Sequence, residues 1–183
     1  FEQVRTEQLE WAKVWVTLAD ERWVDTSSPD SNERLVREHL LVGSAAPAHF
    51  VGLKNPAPTP EAGADWATRA LTRVPHPYDL VILGMGEDGH TASLFPGSLA
   101  LARGLDPAMS PGCIAVNALK APHARVSLNL RALLDARRIV LHIEGAAKWQ
   151  VYQRAKTPGP APELPIRAIL HQKEVPVDVF WAP

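Results

Sequence analysis

DLVILGMGEDGHTASLFPGS, residues Asp79–Ser98, decides how this chain reads. Its opening, Asp79–Leu83, is a short apolar run of the kind that forms a buried strand. The run empties into a loop holding Gly84, Gly86 and Gly89, followed by His90, Thr91 and Ser93. That loop matches GxGxxG, but a dinucleotide site needs a crossover helix of about ten residues or more directly after it. Pro96-Gly97 stops the chain six residues past His90, so the match alone does not carry that reading. What the loop offers physically is close approach: Gly86 and Gly89 remove side chains that would keep a small anionic or carbonyl ligand away from backbone N–H groups. Asp88 and His90 then project at the sheet edge. An imidazole with an unperturbed pKa of ~6.5 takes a proton from water near neutrality, and a neighbouring carboxylate holds its tautomer. An isolated Asp-Gly-His triplet is more often a turn and a loop cap; placed after this strand and glycine loop, it reads as a base and its orienting acid.

Upstream, Phe1–Trp11 has helical spacing of apolar residues (Phe1, Val4, Trp11) against polar ones, and reads as the last turns of a helix. Val14–Leu18 reads as a strand that delivers Asp20-Glu21-Arg22 at its C-terminal end, where ligands collect in open parallel sheets. An arginine there can stabilise developing negative charge; a plain salt-bridge network is the competing reading. Asp30-Ser31-Asn32-Glu33 has the acid-to-Glu spacing of a capping box from Asp30 to Glu33, opening a helix through Leu35, Val36, His39 and Leu40. Gly43–Pro60, broken by Pro47, Gly52, Pro56 and Pro58, reads as a surface connection without interior strand.

Downstream, a helix is expected over Glu61–Val74, ended by Pro75 and Pro77. Further strands are expected at Cys113–Val116, Arg125–Leu130, Ile139–Ile143 and Val177–Trp181, with helices at Arg131–Ala136, Ala146–Arg154 and Leu164–Leu170. Strands alternating with helices predict an α/β fold: a doubly wound, mostly parallel sheet with helices on both faces, in one domain. Two more cations fall at element starts. Arg125 begins a strand, and Lys148 sits in a first helical turn, where a cation opposes the helix dipole and anion binding is one reason to tolerate it. Either alone is more often a solvated surface charge.

Composition excludes several classes. The 183 residues carry 19 Lys+Arg against 20 Asp+Glu, a formal charge of −1 that supplies no basic field for nucleic acid. No apolar run approaches the ~18 residues of a membrane span, and the single Cys113 cannot form an internal disulfide. A soluble, reducing, cytoplasmic setting is the expectation. No GxSxG elbow is present, Cys113 lies in an apolar strand as a packing residue, and the seven histidines show no metal-ligand spacing, so metal-free chemistry is expected. The six tryptophans, scattered over separate elements, read mostly as core or interface packing.

Five pieces taken in order carry a resemblance: ADERWV (Ala19–Val24), PDSNERLVREHLL (Pro29–Leu41), DLVILGMGEDGHTASLFPG (Asp79–Gly97), PHARVSLNL (Pro122–Leu130) and GAAKW (Gly145–Trp149). With them the chain resembles the 6-phosphogluconolactonases, from the superfamily shared with glucosamine-6-phosphate deaminases, over Trp11 to Trp181. The resemblance implies hydrolysis of 6-phosphoglucono-δ-lactone to 6-phosphogluconate, the second step of the oxidative pentose phosphate pathway, with no cofactor. It implies that His90 is the general base, Asp88 its orienting acid and Arg22 a neighbour of the oxyanion. It further implies that Arg125 and Lys148 hold the phosphate and Asn32 touches the sugar hydroxyls, with Asp20, Gly86 and Gly89 also among the substrate-binding residues.

The sister deaminases share the Asp-Glu pair and the Asp-Gly-His loop, but resemble one another in a Tyr after Asp-Glu and an Asn-Glu-Pro stretch after the histidine. Arg22 and Leu94-Phe95-Pro96 stand in those places here, which favours the lactonase. The family also begins with a strand-loop-helix unit whose Gly/Ser-rich loop helps cradle the phosphate; nothing in this chain matches it, and residues 1–183 are read as an N-terminally incomplete domain. Three alternatives stay open at this stage: a deaminase-like isomerase, a non-catalytic sugar-phosphate-binding regulatory domain, and a nucleotide-dependent oxidoreductase resting on GxGxxG. Oligomeric state leaves no signal in the sequence.

Overall fold

The computed structural model describes residues 1–117 and 122–183. In chain order the regular elements are β1 (Trp15–Thr17), β2 (Asp20–Arg22), α1 (Asn32–His39), β3 (His49–Val51), α2 (Pro60–Leu71), β4 (Val81–Leu83), α3 (Leu101–Leu105), β5 (Cys113–Val116), β6 (Arg125–Leu128), α4 (Leu130–Leu133), β7 (Ile139–Glu144), α5 (Ala146–Lys156), α6 (Arg167–Leu170) and β8 (Val177–Ala182). The expected α/β alternation is present.

β4, β7 and β8 form a parallel sheet in that order, with Val81 beside Ile139 and Ile139 beside Val177. Period-2 alternation sends Val81, Leu83, Ile139, Leu141 and Ile143 to one buried face, which joins Leu53, Leu94, Ile114, Leu133, Ile166 and Ile169 in a single apolar core. β1 pairs parallel with β3. A third sheet, β2-β6-β5, is antiparallel throughout and was not foreseen. Among the described residues no helix is long and apolar enough to cross a membrane.

Four local expectations are corrected. Phe1–Trp11 is not the end of a helix but two 3-10 turns, Val4–Thr6 and Trp11–Lys13. Only Trp11 of its apolar residues reaches the core, while Phe1 and Val4 stay about half exposed, so no docked face stabilises a longer helix. Asp20-Glu21-Arg22 does not trail from the end of β1; it is a strand of its own, because Ala19 turns the chain toward β6 and its carbonyl accepts from the Leu128 N–H. The N-cap of α1 is Ser31, whose hydroxyl accepts from the Arg34 N–H, and Glu33 pairs with Arg37 instead of closing a box with Asp30. Finally, Gly43–Pro60 holds β3 and buries Ala45, Val51, Leu53 and Asn55; its prolines lie outside the three paired residues, so the ladder with β1 loses no donor.

Candidate active site

β4 and β7 lie side by side and parallel, so their C-terminal ends open on the same edge. From β4 comes the glycine loop. From β7 come Gly145, at φ +88°, and the first turn of α5 with Lys148. This is the edge at which open parallel sheets hold ligands.

The loop is closed by its own backbone: the Gly86 N–H donates to the His90 carbonyl and the Gly89 N–H to the Gly86 carbonyl, both at 2.9 Å. His90 Nδ1 lies 2.5 Å from Asp88 Oδ1, which also accepts from the His90 N–H at 3.1 Å. A carboxylate on Nδ1 fixes the tautomer that carries its proton there and leaves Nε2 with a free lone pair. The ring lies directly over Gly86, where a Cβ would come 2.2 Å from both Cε1 and Nδ1. Gly89, at φ +78°, meets Leu164, and its carbonyl accepts from the Ile166 N–H at 2.9 Å. It therefore anchors the loop. Phe95 covers the imidazole, ring centroids 4.3 Å apart, and Arg125 holds its guanidinium 5.2 Å above the same phenyl ring.

The second wall is the β2-β6 ladder. Arg22 stands directly opposite Arg125, and Asp20 opposite Ser127. Like charges facing each other across a ladder are destabilising, and the surroundings offset this here. Asp20 Oδ2 lies 3.5 Å from Arg125 Nη1 and accepts from Ser93 Oγ at 2.5 Å. Arg22 Nη1 donates to the Asp30 carbonyl at 2.9 Å and to Asn32 Oδ1 at 2.8 Å, and Asn32 Nδ2 donates to the Asp20 carbonyl at 2.8 Å. Burial pushes the Arg125 pKa down, Asp20 opposes that shift and Arg22 adds to it. Arg125 Nε is buried with no hydrogen-bond partner among the described residues. A guanidinium so placed still has donor capacity for an anion.

Between the walls is an open cleft of about 340 Å³. Asp20, Arg22, Asn32, Gly86, His90, Arg125 and Lys148 all line it. Two expected site residues do not: Asp88, whose side chain is 52% exposed, stands behind the imidazole, and Gly89 faces Leu164. Four residues to which the sequence assigns no role of their own belong to the site: Phe95, Ser93, Ser127 and Glu21. Ser93 is fully buried, ties Asp20 to the His90 loop and donates its N–H to Ser127 Oγ. Glu21 is fully buried behind β2. Strand alternation through Asp20-Glu21-Arg22 is the one signal that could have separated it from its neighbours. Cys113 packs in the core as expected, burial pushing its thiol up to about 12. Among the described residues no group of three or more His, Cys, Asp or Glu side chains is placed to hold a metal ion.

A glycine loop carrying a His–Asp pair, facing half-buried cations at the C-terminal edge of a parallel sheet, defines an α/β protein with a cleft that can take a small anionic ligand. The chain belongs to the family of glucosamine-6-phosphate isomerases/6-phosphogluconolactonase, whose model matches residues 1–181. A 6-phosphogluconolactonase of Pseudomonas putida is 46% identical over 182 residues, which is 100% of this chain and 74% of the relative. One from Rhizobium meliloti is 43% identical over 183 residues, covering 100% of this chain and 79% of its own length. The crystal structure of a 6-phosphogluconolactonase from Shewanella baltica OS155 superposes with a TM-score of 0.96 at 47% identity, over 100% of this chain and 77% of that one.

Proposed function

We propose that this chain hydrolyses 6-phospho-D-glucono-1,5-lactone to 6-phosphogluconate in the oxidative pentose phosphate pathway, in the cytoplasm. The observation that carries the reading is the cleft itself. It sets an Asp-oriented imidazole across from Arg125 and Lys148, a base and an anion clamp in one small space. The family membership and the similarity to lactonases support it.

In this reading Arg125 and Lys148 hold the phosphate, which is close to a dianion at neutral pH. Asn32 and Asp20 face the sugar, and Gly86 makes room for the His90 ring that works on it. His90 Nε2 takes a proton from water as the water oxygen bonds to the lactone carbonyl carbon. The carbonyl oxygen becomes an oxyanion beside Arg22, whose guanidinium, held by Asp30 and Asn32, stabilises it without reorganising. Collapse breaks the bond to the ring oxygen, which leaves with the proton from His90. The product acid then ionises. No cofactor enters this balance. Phe95 forms an apolar cover where the resemblance places the deaminases' carboxylate, so ring opening of an amino sugar lacks its acid.

The test is the rate of acid release from freshly generated lactone, corrected for spontaneous opening. Turnover well above background is expected, and a rate equal to background at high protein concentration refutes the assignment.

A further inference from the structure

Glu21 is the middle residue of β2 and fully buried. A buried carboxylate is costly unless its oxygens are saturated with donors. Here they are: Oε1 accepts the N–H groups of Arg22 at 2.8 Å and Asn32 at 2.7 Å, and Oε2 accepts the Glu33 N–H at 2.7 Å and the Ser31 hydroxyl at 3.1 Å. The Asn32 and Glu33 N–H groups open α1 and have no partner inside the helix. Glu21 thus fastens the start of α1 to β2 through backbone atoms.

What is fastened matters to the cleft. The two acceptors that hold the Arg22 guanidinium are the Asp30 carbonyl and Asn32 Oδ1, both in the segment that Glu21 grips. Asn32 also returns to the Asp20 carbonyl, closing a ring over the cleft side of β2. We propose that Glu21 is a positioning residue for lactone hydrolysis, acting through Asn32 and the Asp30 carbonyl to aim Arg22 at the site of developing charge. This rests on the hydrolytic reading above.

The test is a double-mutant cycle on the full chain. Glu21→Gln keeps the volume but turns an NH2 toward backbone N–H groups. It is expected to lower kcat about 10- to 30-fold, with KM changed less than about threefold, since the substrate's phosphate is held from other elements. In an Arg22→Ala background the same substitution should lower kcat by less than about threefold. Equal losses in both backgrounds overturn the proposal, because a merely structural effect does not depend on Arg22. If Glu21→Gln fails to fold, Ser31→Gly replaces it: the hydroxyl donor to Glu21 and the cap acceptor of the Arg34 N–H are both lost, but glycine is an accepted N-cap, so α1 keeps its start. The expected pattern is then the same, with a smaller loss. The Asn32 side-chain amide, followed by 15N-correlated NMR, separates this inference from the hydrolytic reading. Its signals should collapse toward the free-amide position in either variant whether or not the wild-type chain turns over lactone, and unchanged signals overturn the proposal.

Discussion

Gly86→Ala is the sharpest test of the histidine loop. A Cβ at this position would lie 2.2 Å from His90 Cε1 and Nδ1 and 2.7 Å from Asp88 Oδ1. Ordinary van der Waals contact begins at 3.4 Å, so the overlap with the ring is more than 1 Å. The ring yields before the backbone, since a side chain turning about χ1 is softer than the hydrogen-bonded loop that carries Gly86. Swinging the ring out breaks the 2.5 Å bond to Asp88 and moves Nε2 from its place over the cleft. A misplacement of about 1 Å at a reacting group costs on the order of 100-fold in rate. The expectation is therefore a kcat lowered about 100-fold, with unfolding free energy changed by less than about 1 kcal/mol, because the strain is relieved by a partly exposed side chain. Gly84→Ala, whose Cβ would meet nothing within 4 Å, is the stability control. Acid release from the lactone and urea unfolding give both numbers. A Gly86→Ala protein with kcat within threefold of wild type would refute the argument that the imidazole must sit on this glycine to work.

His90→Ala should abolish turnover above background while calorimetric affinity for 6-phosphogluconate stays within a few-fold, since a general base acts on the transition state; equal losses in both would assign His90 to binding. Arg125→Ala and Lys148→Ala should each weaken 6-phosphogluconate binding by about 1.5–3 kcal/mol, the range of a charge-assisted contact, and unchanged affinity would remove that residue from the phosphate site. Stability should fall above pH 9. Burial raises Cys113 from 9.0 to about 12 and raises Tyr78 as well, so between those limits the unfolded chain releases protons that the folded chain keeps. The stabilisation is whole below pH 9 and the Cys113 share of the loss is about 1 kcal/mol by pH 10; urea midpoints at pH 8 and pH 10 should differ less in Cys113→Ala than in wild type.

The parts of the fold that the sequence made legible are those in which one principle dominates. β5 is legible to the residue because Cys113–Val116 is short and apolar with β-branched Ile114 and Val116, and β7 and β8 are legible to within a residue at their ends. The His90 loop is legible because three glycines around an Asp-Gly-His triplet mark a tight, special turn after a strand, although the space they free is taken by His90 over Gly86 and by Leu164 against Gly89. β3 was hidden because His49-Phe50-Val51 is only three residues long and sits among prolines, so local composition outvoted a pairing that only β1 supplies. The N-cap slipped by one residue because Asp30 and Ser31 are both good caps. What decided between them was Glu21, which claims the first helical N–H groups from a strand ten residues upstream.

β2 shows why the site itself was only partly readable. Asp-Glu-Arg has no apolar residue and no hydrophobic period, so nothing in its composition marks a strand. Once β6 pairs with it, the two-residue repeat gives three adjacent charges three different surroundings. Asp20 and Arg22 turn to the cleft and Glu21 to the interior, where donors from α1 take the place of water. The same ladder places Arg22 against Arg125, a pairing that self-repulsion disfavours and that Asp20, 3.5 Å from one of them, and the buried Glu21 carboxylate partly neutralise. In the proposed reading the phosphate held by Arg125 and Lys148 supplies negative charge on that side of the cleft. The combined positive field of Arg22, Arg125 and Lys148, more than any single residue, is what a sugar phosphate would find in this cleft.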